Sequence, residues 1–139
     1  MRIKRRKKVK WIQLNNHWHL KVRLIPLMRV GPGCIWLASM AVSKSKRQIN
    51  YFMSLRKNTC SIPLTADWGM KAQLEAMRMV RQWYQEIPAG DSIAIRCESE
   101  DPERQFRVWR KWFETRENPG WEISETHHSF FLYKRLESD

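Results

Sequence analysis

The sequence predicts an α+β protein: one small domain on a mainly antiparallel sheet, with an N-terminal β-hairpin and about three helices, in the order ββ-β-α-α-β-α-ββ. Three observations carry that expectation. Near the N-terminus "HWHLKVRL" alternates with period two, setting Trp18, Leu20, Val22 and Leu24 against His17, His19, Lys21 and Arg23. Further on, apolar residues recur at helical spacing behind residues that cap helices. The length, 139 residues, suits a single core.

Residues 1 to 8 are almost all cationic and bury little, which predicts a flexible basic arm ahead of a domain spanning 9 to 139. "VKWIQL" and "HWHLKVRLI" flank "NN", a dipeptide suited to tight turns, and form the hairpin. "GPG" at Gly31 to Gly33 is a turn, and "CIWLASMAV" is an apolar run read as a buried strand. In "SKSKRQINYFMSLRKN" Ser43 is the expected N-cap of a short basic helix. Its residues Ile49, Phe52 and Met53 fall at helical spacing, which leaves Lys44, Lys46, Arg47, Arg56 and Lys57 outward. Asp67 caps a longer helix to Glu86, with Met70, Leu74, Met77, Tyr84 and Ile87 as its apolar stripe and Pro88 and Gly90 as its stop. "DSIAIRCE" alternates Ile93, Ile95 and Cys97 inward. Asp101 and Pro102 then open a helix that carries Phe106, Trp109 and Phe113 on one face and ends at "NPG". "WEISE" and "SFFLYKR" follow, as two strands joined around "THH" or as one long strand with a bulge.

Charge is the main functional clue. No carboxylate occurs before Asp67, so residues 1 to 66 carry +15 while residues 67 to 139 carry −3, for a net +12. A field this one-sided attracts polyanions by steering and counterion release, and nucleic acid is the commonest such partner. An acidic protein surface and anionic headgroups satisfy the same Coulomb attraction. The composition, 42% hydrophobic and 12% aromatic, is too apolar for a disordered chain. The longest apolar run, Cys34 to Val42, is about half of what a membrane span needs. The basic N-terminus leads into Trp11, Gln13 and Asn15 rather than an apolar block, unlike a secretory signal. Cys34, Cys60 and Cys97 are odd in number and form no C-x-x-C pair, which fits a reducing compartment and argues against a disulfide framework or a cysteine zinc site. Cytoplasmic location is expected, or nuclear if the host is eukaryotic, since the basic block at the N-terminus also fits an import signal.

Aromatic side chains lie among the cations at Trp11, Trp18, Trp36, Tyr51 and Phe52. A positive groove with rings on which bases stack is how single-stranded nucleic acid is held, at about 1 to 3 kcal/mol per base. Trp11, beside the arm, is the first candidate for such a ring; burial of all five in the core is the competing expectation.

"HWH" at His17 to His19 resembles the His-hydrophobic-His signature of nicking endonucleases that start rolling-circle replication or single-strand transposition. The resemblance covers these three residues. It implies that His17 and His19 bind a divalent metal and that Tyr84, on the long helix, attacks the phosphate. The signature lies on the first hairpin, and no strand ahead of it carries the family's first motif. The simpler expectation is a pair of exposed imidazoles that become cations at low pH. "ETHH", with Glu125, His127 and His128, reads as a solvated turn unless the fold brings it to His17 and His19. The acidic cluster from Glu98 to Glu103 complements the dipole of the helix that follows.

The expectation is therefore a small basic nucleic-acid-binding protein without catalysis, cofactor or metal. Its phosphate contacts come from Arg2, Lys4, Arg5, Arg6, Lys7, Lys8, Lys10, His17, His19, Lys21, Arg23, Lys44, Lys46, Arg47, Arg56 and Lys57, with Trp11 as a stacking ring. Two alternatives stand beside it. One is a viral or mobile-element factor that docks on an acidic protein surface or a host nucleoprotein complex; the other is the metal-dependent nicking or RNA-cleaving enzyme.

Overall fold

A computed structural model describes residues 4–15, 17–54, 69–96, 102–115, 121–127 and 130–135. Among them the chain forms β1 (Lys8–Gln13), β2 (His19–Val30), β3 (Gly33–Ser43), α1 (Lys46–Ser54), α2 (Gly69–Glu86), β4 (Ser92–Arg96), α3 (Pro102–Thr115), β5 (Trp121–His127) and β6 (Phe130–Arg135). This is the α+β order read from the sequence. The strands make one sheet of six in the order β1-β2-β3-β4-β6-β5, antiparallel throughout except for β3 against β4. The parallel pair follows from α1 and α2, which lie between those strands in the chain and carry it back to the same end of the sheet. No helix among the described residues is long and apolar enough to cross a membrane.

The two faces of the sheet are set by the period-two alternation of β2. Leu20, Val22 and Leu24 are buried on one face with Cys34, Trp36, Ala38, Met40 and Val42 of β3 and Ile93 and Ile95 of β4. Against them pack Ala72, Ala76, Met77, Val80, Trp83 and Tyr84 from α2, Ile87 just past its end, and Phe106, Trp109 and Trp112 from α3. α2 and α3 are clamped by a buried polar contact in which Trp109 Nε1 donates to Gln73 Oε1. On the opposite face lies the shorter α1, whose Ile49 and Met53 bury against Ala41 of β3 with the half-buried Trp11 of β1.

Several local expectations are corrected by the structure. The first hairpin is closed by the Leu14 amide, which donates to the Trp18 carbonyl at 2.9 Å, a wider span than a two-residue turn. The Asn15 side chain accepts the backbone N–H groups of both His17 and Trp18, a side-chain-closed turn that holds a wider loop. His17 therefore lies in that loop, and only His19 begins β2. β2 also runs past Leu24 to Val30, with a register shift between Pro26 and Met28. Proline is tolerated there because β1 pairs with β2 only as far as Leu24, so no ladder donor is needed on that side. The cap of α1 is Ser45 and not Ser43: Ser45 Oγ accepts from the Gln48 amide at 3.2 Å, while Ser43 closes β3 and accepts from the Ser45 amide. Met70, expected in the apolar stripe of α2, is exposed at the start of the helix. The C-terminal segments are two antiparallel strands. The caps Asp67 and Asp101, with Cys60, Cys97 and His128, lie outside the described residues, as do the side chains of Phe52 and Phe113.

The tip of the β2–β3 hairpin is fastened to the loop after α2. Gly31 takes a positive φ of 58° in the turn, and a Cβ on Gly33 would stand 2.6 Å from the Gly90 carbonyl oxygen. That close approach brings Asp91 over the start of β3.

Candidate nucleic-acid interface

Asp91 decides how much of the N-terminal charge stays available. Fully buried, it accepts from Arg5 Nε at 2.8 Å and Arg5 Nη2 at 3.0 Å, from the Cys34 amide at 3.0 Å and from Trp36 Nε1 at 2.8 Å. The two-pronged contact to Asp91 holds the Arg5 guanidinium firmly charged, its pKa raised above the ordinary arginine value. Burial, with Asp91 second, pushes the Cys34 thiol up, so it stays protonated at neutral pH. Arg5, expected in a free basic arm, is instead a buried anchor, its side chain only 8% exposed. Lys8, expected in the same arm, starts β1 and reaches Glu86 of α2 at 3.1 Å.

Among the described residues, these two contacts are also the whole neutralisation of the N-terminal half. Between residues 4 and 54 the chain has twelve Lys and Arg, and Arg5 and Lys8 alone pair with a described carboxylate. The other ten are Lys4, Arg6, Lys7, Lys10, Lys21, Arg23, Arg29, Lys44, Lys46 and Arg47. Nine of them fall into two groups, and Lys10 stands apart from both, exposed on β1 with Val22 as its register partner. Lys4, Arg6 and Arg29 border an open cleft of about 540 Å³ between the N-terminal segment and the end of β2, with Leu27 and Met28 on its wall and Cys34 behind. Lys7, Lys21, Arg23, Lys44 and Lys46 gather about the α1 face of the sheet and its rim, with Arg47 on the exposed side of α1.

Trp11 is the centre of the second group. Lys21 Nζ lies 5.1 Å and Lys46 Nζ 5.4 Å from its ring centroid, both within cation–π range, and Lys44 Nζ stands 5.3 Å from Trp18. Lys21 Nζ also donates to Asn50 Oδ1 at 2.9 Å. The expected stacking ring is thus half-buried and shared between two lysines, and it orders cations at the junction of β1, β2 and α1. Burial, with the charges of Arg23 and Lys7 behind it, lowers the pKa of Lys21.

A second cationic surface lies on the far side of the molecule. α3 exposes Arg104, Arg107, Arg110 and Lys111, with Glu103 in its first turn. Beside it Arg81 lies over the Trp112 ring at 5.9 Å, and Arg78 pairs with Glu75 along α2.

The structure does not bring together the residues of the nicking signature. His19 points to the α1 face with its register partner Ser43, whereas Tyr84 is buried at 1% exposure in the core on the other face. Among the described residues no group of three or more His, Cys, Asp and Glu is placed to hold a metal ion. Arg2, Arg56 and Lys57 lie outside the described residues. Sequence reasoning missed Arg29, which lies beyond the strand read as "HWHLKVRLI", and Ser39, although Ser39 is the one polar residue in "CIWLASMAV". It also missed Asp91, whose position just after the Gly90 turn is its only sequence signal.

Compared with known proteins, the chain matches no family model, no curated protein and no solved structure. The class it defines is an α+β protein with a six-stranded mixed sheet and a carboxylate-free N-terminal half.

Proposed function

We propose that this is a small nucleic-acid-binding protein that acts without catalysis, contacting phosphates through its N-terminal half in the cytoplasm, or in the nucleus of a eukaryotic host. The observation that carries the reading is the set of ten cations between Lys4 and Arg47 with no carboxylate partner among the described residues. Ten like charges on one half of a small domain repel one another, and a polyanion that displaces its own counterions relieves that repulsion. Among the described residues, the two carboxylates that reach this half hold Arg5 and Lys8 to the rest of the fold and leave the other cations without a carboxylate partner. Fluorescence anisotropy on single-stranded and duplex oligonucleotides tests this. The logarithm of affinity falls linearly with log salt, with a slope of about −0.7 per phosphate on single strands or −0.9 on duplex. A salt-insensitive association, or none at low salt, overturns the reading.

A specific observation favours a second reading, a viral or mobile-element factor docked on a host nucleic-acid machine. Leu27, Met28 and Val30 are each more than half exposed, next to Arg29 and across the cleft from Lys4 and Arg6. Apolar side chains rimmed by cations suit an acidic protein surface. A stable protein partner that survives nuclease treatment and is released on changing Leu27 and Met28 to Ser supports this second reading.

A further inference from the structure

Arg23 and Ser39 are cross-strand partners of β2 and β3 on the α1 face of the sheet. Ser39 is 2% exposed, and its hydroxyl has no hydrogen-bond partner among the described residues; Arg23 Nε is likewise buried and unpartnered among them. A buried donor left unmade is costly, and native structures keep few of them. Here two stand side by side, and one belongs to a cation. Lys21 is two residues along the same face of β2, and its register partner is Ala41. Lys7 is exposed and near enough for its charge to act on Lys21. None of the strands and helices packed on this face offers a counter-charge: the described parts of β1, β2, β3 and α1 hold no Asp or Glu. A bound water would satisfy the hydroxyl but would leave the cations unneutralised.

We propose that Arg23 and Ser39, with Lys21 beside them, form an oxyanion site that takes one phosphate group. One phosphate oxygen accepts from Arg23 Nε–H and Ser39 Oγ–H. The Lys21 ammonium, now donating to Asn50, turns to a second oxygen, and Lys7 closes the positive rim. The backbone phosphate of a nucleic acid and a free phosphate monoester share this chemistry. The site rests on the nucleic-acid reading only for the source of the phosphate.

Ser39→Ala is the discriminating variant, because it removes a donor and no charge. Removing an unpartnered buried hydroxyl leaves the melting temperature unchanged or raised, which separates binding from folding. Two probes are used, inorganic phosphate followed by NMR at the Arg23 Nε–H, and a single-stranded oligothymidylate followed by anisotropy. The expected result is that phosphate shifts the Arg23 Nε–H downfield. Ser39→Ala and Arg23→Lys each weaken both probes by about tenfold. The double variant Lys44→Gln/Arg47→Gln weakens the oligonucleotide alone. Oligothymidylate binding that is salt-dependent but unchanged in Ser39→Ala overturns the site and leaves the nucleic-acid reading standing. A Ser39-dependent phosphate response in a protein that binds no oligonucleotide keeps the site, with a free phosphate monoester as its ligand, and overturns that reading. Absence of any shift at Arg23 overturns the site outright.

Discussion

The two faces of the sheet are made by the same strands, yet one holds the folding energy and the other the charge. Below β2, Leu20, Val22 and Leu24 meet two helices through Trp36, Met77, Tyr84 and Trp109, an apolar cluster built from side chains of five elements. Above it, one short helix covers Ala41 with Ile49 and Met53, and Lys21 and Lys46 lie over the Trp11 ring. Alternation along β2 makes this division possible, because each cation at an odd position costs nothing on the core face. A domain of this size can then carry a large uncompensated charge without placing it in its core.

The largest effect is expected where the two halves of the chain are joined. Asp91→Ala strands the buried Arg5 charge and removes the acceptor of Trp36 Nε1, which costs about 3 to 5 kcal/mol in urea unfolding. An effect below about 1 kcal/mol shows that the N-terminal segment is not anchored. Truncation on the core face comes next: Trp109→Ala loses about 3 to 5 kcal/mol through the cavity it opens, and binding falls only as far as the protein unfolds. On the α1 face Ile49→Ala costs about 2 kcal/mol, at the low end for such changes because the cluster around it is small. Equal losses at Ile49 and Trp109 blur the division between the faces. Smallest of all for stability are charge reversals at Lys44 and Arg47, within about 0.5 kcal/mol by thermal melting, since exposed charges add little to folding.

Much of this division is legible in the sequence. The alternation at Leu20, Val22 and Leu24 gives the core face, and Trp109 falls on the buried side of its helix as its spacing requires. The absence of acid before Asp67 separates the charged half before any fold is known. What sequence cannot supply is pairing across the chain. Nothing local says that Arg5 meets Asp91, because the contact depends on a hairpin tip and an α2–β4 loop brought together by Gly33 and Gly90. For the same reason Arg5 reads as one of many arm cations and Asp91 as the start of a strand. The juxtaposition of Arg23 and Ser39 is set by the β2–β3 register, which the hydrophobic pattern restricts to one face without aligning residue to residue. The exposure of Trp11 is equally illegible, because it depends on α1, a neighbour far along the chain that half-covers the ring.

The most direct measurement sets the N-terminal cations against those of α3, with four charges removed from each. One variant carries Lys10, Lys44, Lys46 and Arg47 as Gln, and the other carries Arg104, Arg107, Arg110 and Lys111 as Gln. Both are titrated with a single-stranded oligonucleotide between low and moderate salt, alongside melting curves. The expected result is that the first variant binds more weakly with a shallower salt slope, by about 0.7 for each phosphate no longer neutralised, while the second keeps the parent affinity and slope. If the α3 variant loses more affinity and the N-terminal variant binds as the parent does, the carboxylate-free half is not the binding surface and "DPERQFRVWRKWF" is.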